Sequence, residues 1–240
     1  MTAYRLLHAG DTAVVVEFGE TIDRRLNALV LGLDRSLSLE HWVFETVPTF
    51  RSLMVYYNPE AVSGPEIASR IADHVSKIEV VQSSSRTWRL PVCYDSEVAP
   101  DLDDVADRLG LRPKQIVERH SGDVYHVYML GFLPGLAYMG DLAADLRVPR
   151  LQSPRVKIPA GSLGVAMAMS LIMPRETASG LNLLGRSPAS MWHGDAALLK
   201  PGDKVIHEPI SLREFDSLMA QSGPDGVRIE QVEEVTHFAA

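Results

Sequence analysis

A serine-rich break, Gln82–Thr87, divides the chain into two stretches of different hydrophobic patterning, and that division limits the folds open to it. Upstream of it, Tyr4–Leu7 and Thr12–Phe18 are short β-rich runs around Ala9-Gly10-Asp11, which suits a tight turn. Ile22, Leu26, Leu29, Val30, Leu33 and Leu37 follow at a spacing near 3.6, the apolar stripe of a helix of about four turns. Val43–Val47 and Leu53–Tyr57 read as strands on either side of Pro48-Thr49. Ser63 and Glu66 can close a capping box at the start of a second helix, where Pro65 costs little because first-turn amides lack helical partners. Ile67, Ile71, Val75 and Ile78 form its stripe. The order strand–strand–helix–strand–strand–helix predicts a small α+β domain over residues 1–85.

Beyond the break, Leu90–Tyr94 reads as a strand, Asp101 and Asp104 open a short helix ending at Gly110, and Pro113–Arg119 adds another. From Val124 on, β-rich runs are broken by Pro and Gly: Val124–Leu130, Val156–Ile158, Leu163–Met173, Leu181–Leu184, Ala197–Leu199 and Lys204–His207. Many short strands with turn signals predict a β-barrel or sandwich over residues 86–210. Ser211 with Glu214 opens a last helix, Leu212–Ala220, with Leu212, Phe215, Leu218 and Met219 inward. Ser222–Gly226 ends it, and a strand-like tail, Val227–Val232, completes a third segment over residues 211–240.

Composition excludes several function classes. With 23 Lys+Arg against 31 Asp+Glu the formal charge is −8, which argues against binding a nucleic-acid backbone. The single cysteine, Cys93, forbids an internal disulfide. The opening residues lack the pattern of a secretory signal, and the apolar runs are too short to span a bilayer. We therefore expect a cytoplasmic chain with no membrane partner. Neither GxGxxG nor GxxxxGK[ST] occurs. Ala160-Gly161-Ser162-Leu163-Gly164 misses the nucleophile elbow, since Ala160 stands where glycine is needed and Pro159 interrupts the preceding strand. The eight histidines show no ligand spacing, so no metal is expected.

Chemistry-bearing residues are densest between His120 and Gly164. The strand Val124–Leu130 runs into Gly131-Phe132-Leu133-Pro134-Gly135, where Pro134-Gly135 suits a turn with positive φ at Gly135. Two readings stand here. Phe132 and Tyr138 plug a barrel, or Gly131 and Gly135 line a groove with Tyr125 or Tyr138 offering a hydroxyl. Arg155 and Arg186 sit beside rigid turns, and their forks suit carboxylates, phosphates or a partner's acidic residues. Leu199–Val205 reads as a turn between barrel strands.

His120-Ser121, Tyr125, Leu130-Gly131-Phe132, Pro134-Gly135, Tyr138, Pro149-Arg150, Pro154-Arg155 and Pro159-Ala160-Gly161-Ser162 occur in a characteristic order. Gly164, Leu184-Gly185-Arg186-Ser187-Pro188, Leu199 and Pro201-Gly202-Asp203 complete it. This pattern resembles the KipI/PxpB family, the B component of 5-oxoprolinase, also called allophanate hydrolase subunit 1, of the carboxyltransferase subdomain C and D type. It covers residues 4–210. The resemblance implies a cyclophilin-like β-barrel behind the α+β domain. It also implies a non-autonomous subunit, inactive alone, working with a KipA/PxpC-type component and a PxpA-type component. Such a complex opens a small cyclic amide, 5-oxo-L-proline, to L-glutamate at the expense of ATP with Mg, which a partner is free to bind. One branch implies instead an inhibitor of a histidine kinase, and the same module occurs in urea carboxylase and allophanate-related enzymes.

Carried over by position, Arg155 and Arg186 would hold carboxylate or phosphoryl oxygens, and His120 would act as acid or base or else fix the turn between helix and strand. Tyr125, Gly131, Phe132, Pro134, Gly135, Tyr138, Pro159, Gly161 and Ser162 would form a groove for substrate or partner. The sequence departs from the family over residues 167–181. The family's G-x-Q-T-G-x-Y-P is here Met167–Pro174, and its P-G-G-W is Ala178-Ser179-Gly180-Leu181. Met169, Ser170 and Leu181 thus replace Gln, Thr and Trp, a loss of polar donors.

Overall fold

Alternating apolar residues in the first half build a four-stranded antiparallel sheet. It consists of β1 (Arg5–His8), β2 (Ala13–Glu17), β3 (Val43–Pro48) and β4 (Ser52–Tyr57), in the order β1-β2-β4-β3. Helices α1 (Arg24–Leu37) and α2 (Gly64–Ser76) join it in one core, where Val14, Val16, Leu33, Leu53, Val55 and Ile67 are wholly buried. Asp23 starts α1 by accepting from the amides of Arg25 (2.8 Å) and Leu26 (3.2 Å). The helix therefore begins after Ile22, which is 48% exposed and does not extend the stripe. At α2 the Ser63–Glu66 capping box forms, with the Ser63 amide donating to the Glu66 carboxylate at 3.0 Å.

The computed structural model describes residues 3–78, 86–222 and 226–229. Most of the serine-rich break, part of the stretch ending the last helix, and the tail beyond residue 229 lie outside the described residues. The chain divides into two units, Met1–Ser84 and Ser85–Ala240.

The second unit opens with β5 (Thr87–Cys93), α3 (Leu102–Leu109) and α4 (Pro113–Gly122). Next come β6 (Val124–Leu130), β7 (Ala137–Gly140), a 3-10 turn (Ala144–Leu146), β8 (Arg155–Ile158), β9 (Ser162–Ala166) and β10 (Met169–Ile172). It closes with β11 (Thr177–Ser179), β12 (Asn182–Arg186), β13 (Trp192–His193), β14 (Ala196–Ala197), β15 (Lys204–Ile210) and α5 (Leu212–Ser222).

Seven of these strands form a closed barrel in the order β10-β7-β6-β15-β5-β12-β9, with β9 hydrogen-bonded back to β10. Closure leaves no free sheet edge. The β5–β15 pairing is parallel over seven residues, from Thr87 opposite Lys204 to Cys93 opposite Ile210. Its interior is filled by Leu90, Val92, Val127, Met139, Leu163 and Val205 among others.

Two sequence expectations need correction here. The run Leu163–Met173 is a hairpin of β9 and β10, turned at Met167, whose φ is +54°. Asp101 precedes α3 but makes no side-chain cap. Its carboxylate instead takes the Arg155 guanidinium at 2.5 and 3.0 Å and the Leu183 amide at 2.6 Å. On α5 the residues expected inward are the less exposed ones: Phe215 is fully buried, and Leu212, Leu218 and Met219 are half-buried.

Candidate functional site

The residues singled out from the sequence fall in three places. The first is inside the barrel. Alternation along β15 points Val205 and His207 the same way, and alternation along β6 does so for Tyr125 and Val127. His120, on α4, joins them with no solvent exposure. The His120 and His207 rings stack at 4.7 Å and 17°, with the Tyr125 ring within 5.2 Å of both. His120 bonds through Nδ1 to the Tyr94 hydroxyl (2.8 Å) and through Nε2 to the Ser170 hydroxyl (3.0 Å). The Tyr125 hydroxyl donates to the His120 carbonyl at 2.9 Å.

Burial drives the His120 pKa down to about 3, and burial together with the neighbouring His120 lowers that of His207 as well. Both rings are neutral at physiological pH. His120 is thus enclosed in the core, where its contacts with Tyr94, Ser170 and Tyr125 brace the end of α4 against the barrel. Tyr125 likewise offers no hydroxyl to a groove.

The second place is the arginine turns. Arg155 is locked bidentate on Asp101, itself 7% exposed, so its fork is spent inside the chain. Arg186 donates from Nε to the Ala160 carbonyl (2.9 Å) and places its Cζ over the Phe215 ring of α5, 5.6 Å from the ring centroid. Burial lowers its pKa. Ser162 is 3% exposed and donates to the Pro159 carbonyl at 2.8 Å. Gly161 has φ +80°, and a Cβ there would strike the Ser187 carbonyl. The Arg155 fork is therefore engaged within the chain, whereas the hydrogen bond of Arg186 uses its Nε.

The third place is the β6–β7 loop. Gly131 donates to the Leu136 carbonyl (3.1 Å), Leu133 to Gly131 (2.9 Å) and Leu136 to Leu133 (3.0 Å). The Leu133-to-Gly131 bond, with φ +68° at Phe132, is the rare and strained γ-turn of positive φ. Gly135, at φ +81°, lies so close to Met191 that a Cβ would sit 2.7 Å from its carbonyl oxygen. Pro134 is exposed and Tyr138 half-buried. Phe132 is 75% exposed and plugs nothing.

Two residues that matter escaped the sequence reading. Asp203, in the supposed plain turn, is buried and binds Arg86 (2.5 and 3.0 Å), the Trp88 indole (2.9 Å) and the Lys200 amide (2.9 Å). His207 has no hydrogen-bond partner at either ring nitrogen. Most departures from the family pattern are buried too: Met169, Ser170 and Leu181 are 9% exposed or less, whereas Met167 and Ala178 reach solvent.

The family described as carboxyltransferase domain, subdomain C and D, matches residues 4–199. The B component of the Bacillus subtilis 5-oxoprolinase is 31% identical over 238 residues, covering 91% of this chain and 98% of that one. The crystal structure of TTHA0988 superposes with TM-score 0.73 at 29% identity, covering 83% of this chain but only 39% of that longer one. The Kluyveromyces lactis urea carboxylase shares the fold alone, with TM-score 0.80 at 17% identity over 95% of this chain and 24% of that one. Fold, barrel and matched span together make this chain a member of the carboxyltransferase subdomain C and D family, in its KipI/PxpB branch.

Proposed function

We propose that the chain is the PxpB-type component of an ATP-dependent 5-oxoprolinase complex, which opens the lactam of 5-oxo-L-proline to give L-glutamate. The observation that carries this reading is the nearly end-to-end match to the B component of a 5-oxoprolinase. A dependent role also agrees with the barrel's chemistry: His120, Tyr125, Arg155 and Ser162 all find hydrogen-bond partners within the chain. ATP and Mg then belong to the other components, and this chain's part is to shape or hold the assembly.

Reconstitution tests this directly. The chain mixed with the KipA/PxpC-type and PxpA-type proteins of the same genome should release glutamate from 5-oxoproline only when ATP and Mg are present. The chain alone should release none. Glutamate release by the chain alone, or none by the full set, would overturn the proposal.

A further inference from the structure

Serines near helix ends in this chain turn their hydroxyls back onto the helix. Ser38 donates to the Arg35 carbonyl (3.2 Å), Ser76 to that of Asp73 (2.8 Å) and Ser121 to that of Val117 (2.7 Å). Ser36, in the last turn of α1, turns instead to another helix: its hydroxyl lies 2.6 Å from Nδ1 of His74 on α2. Nε2 of the same ring lies 3.4 Å from Glu40 Oε1, and the other Glu40 oxygen accepts from the Trp42 indole at 2.9 Å. Trp42 is 1% exposed and meets the His74 ring edge-on, so carboxylate and imidazole are both held in place.

The carboxylate decides the tautomer of the neutral ring. It can only accept, so Nε2 carries the proton, Nδ1 keeps its lone pair, and the Ser36 hydroxyl donates to it. A hydroxyl donating to a bare imidazole nitrogen, with a carboxylate behind the ring, is the arrangement that activates a serine nucleophile. Here the roles of the two ring nitrogens are exchanged. Solvent reaches the group: the side chains of His74 and Glu40 are 20% and 33% exposed, and Ser36 is half-buried. Ser36 stands at the helix end that presents carbonyls rather than amides, so an oxyanion gains no help from α1.

We propose that Ser36 is an acyl-acceptor site, taking one acyl group from an activated ester or thioester. Ser36 Oγ forms the new bond to the carbonyl carbon as its proton passes to His74 Nδ1. The bond from that carbon to the leaving oxygen or sulfur breaks, and the proton departs with the alcohol or thiol. With no amides from α1 on the oxyanion, only activated acyl groups react and water releases them slowly. The product is a persisting acyl-serine rather than turnover. The inference concerns the first unit alone and is independent of the 5-oxoprolinase reading.

Incubating the full chain with p-nitrophenyl acetate and mapping its peptides by mass spectrometry tests the proposal. A hydroxylamine-labile acetyl ester should appear at Ser36 and not at Ser38 or Ser76, whose hydroxyls are spent on their own helices. His74→Gln should slow acetylation of Ser36 by about 100-fold or more, the usual share of a general base. Glu40→Gln should slow it too: the amide keeps the Trp42 indole on its oxygen but offers N–H to Nε2, which moves the ring proton to Nδ1. This isosteric change at a partly exposed residue keeps the test decisive if His74→Gln unfolds. Ser36 left unmodified, or modified no faster than Ser38 and Ser76, overturns the proposal. So does an unchanged rate in either folded variant.

Discussion

Replacing His207 by methionine should stabilise the barrel unit, and more so in acid. The ring is 1% exposed and both its nitrogens are without hydrogen-bond partners, so the native residue carries a desolvation cost of about 1–3 kcal/mol that a thioether of similar bulk avoids. The pH dependence follows from the same burial. The unfolded chain takes up a proton on each imidazole below about pH 6.5, whereas folded His120 resists until about 3 and folded His207 is held low as well. Stability is therefore complete above pH 6.5 and falls with acidification. His120 alone costs about 2 kcal/mol by pH 5, and His207 adds to the loss in the same direction, against a total of about 5–15 for a typical domain.

Methionine at 207 should remove the His207 share of that loss, leaving that of His120. Urea unfolding read by hydrogen exchange at β6 and β15 amides, at pH 7.5 and pH 5, isolates the barrel from the N-terminal unit. Equal acid losses in the two proteins would refute the reasoning. So would a variant less stable than the parent at pH 7.5, because it would mean that His207 is well solvated or bonded where it sits.

Met167→Gly should raise stability by about 1 kcal/mol in thermal denaturation, because the residue is 63% exposed, turns at φ +54° and stands where the family pattern carries glycine. Asp101→Asn should lower it by about 2–4 kcal/mol in urea titrations, leaving the Arg155 charge half-buried and unpaired. Gly135→Ala should cost about 2 kcal/mol or more by the same measurement, from positive φ combined with the approach to Met191.

Features set by neighbours in sequence were the legible ones. The Ser63–Glu66 box and the stripes of α1 and α2 depend on spacings of three and four residues, and they form. The barrel's short strands and the family motif were equally plain. What sequence hid was long-range pairing. A local rule makes Asp101 a helix cap, but Arg155, 54 residues on, competes for the carboxylate and wins with two hydrogen bonds. The turn at Met167 carries no Gly, Pro or Asn, so β9 and β10 read as one run. His120 and His207 belong to different elements, and nothing in the sequence says that a helix and a distant strand will stack them. Gly135, read as lining a groove, is closely approached, but what approaches is the chain's own backbone at Met191.

The parallel pairing of β5 with β15 has a consequence for synthesis. Arg86, just ahead of β5, meets Asp203, just ahead of β15, across 117 residues of sequence. Apart from a single pairing with β12, β5 finds its whole hydrogen-bonded partner in β15. At about 5–20 residues per second a ribosome needs on the order of 6–25 s to make that interval. For all that time a strand carrying Trp88, Leu90 and Val92 has left the tunnel with its main partner unmade. The finished protein has a sealed barrel; the nascent one has an open, sticky strand. A chain stalled before residue 204 should thus be a chaperone client, whereas one released after residue 210 should not.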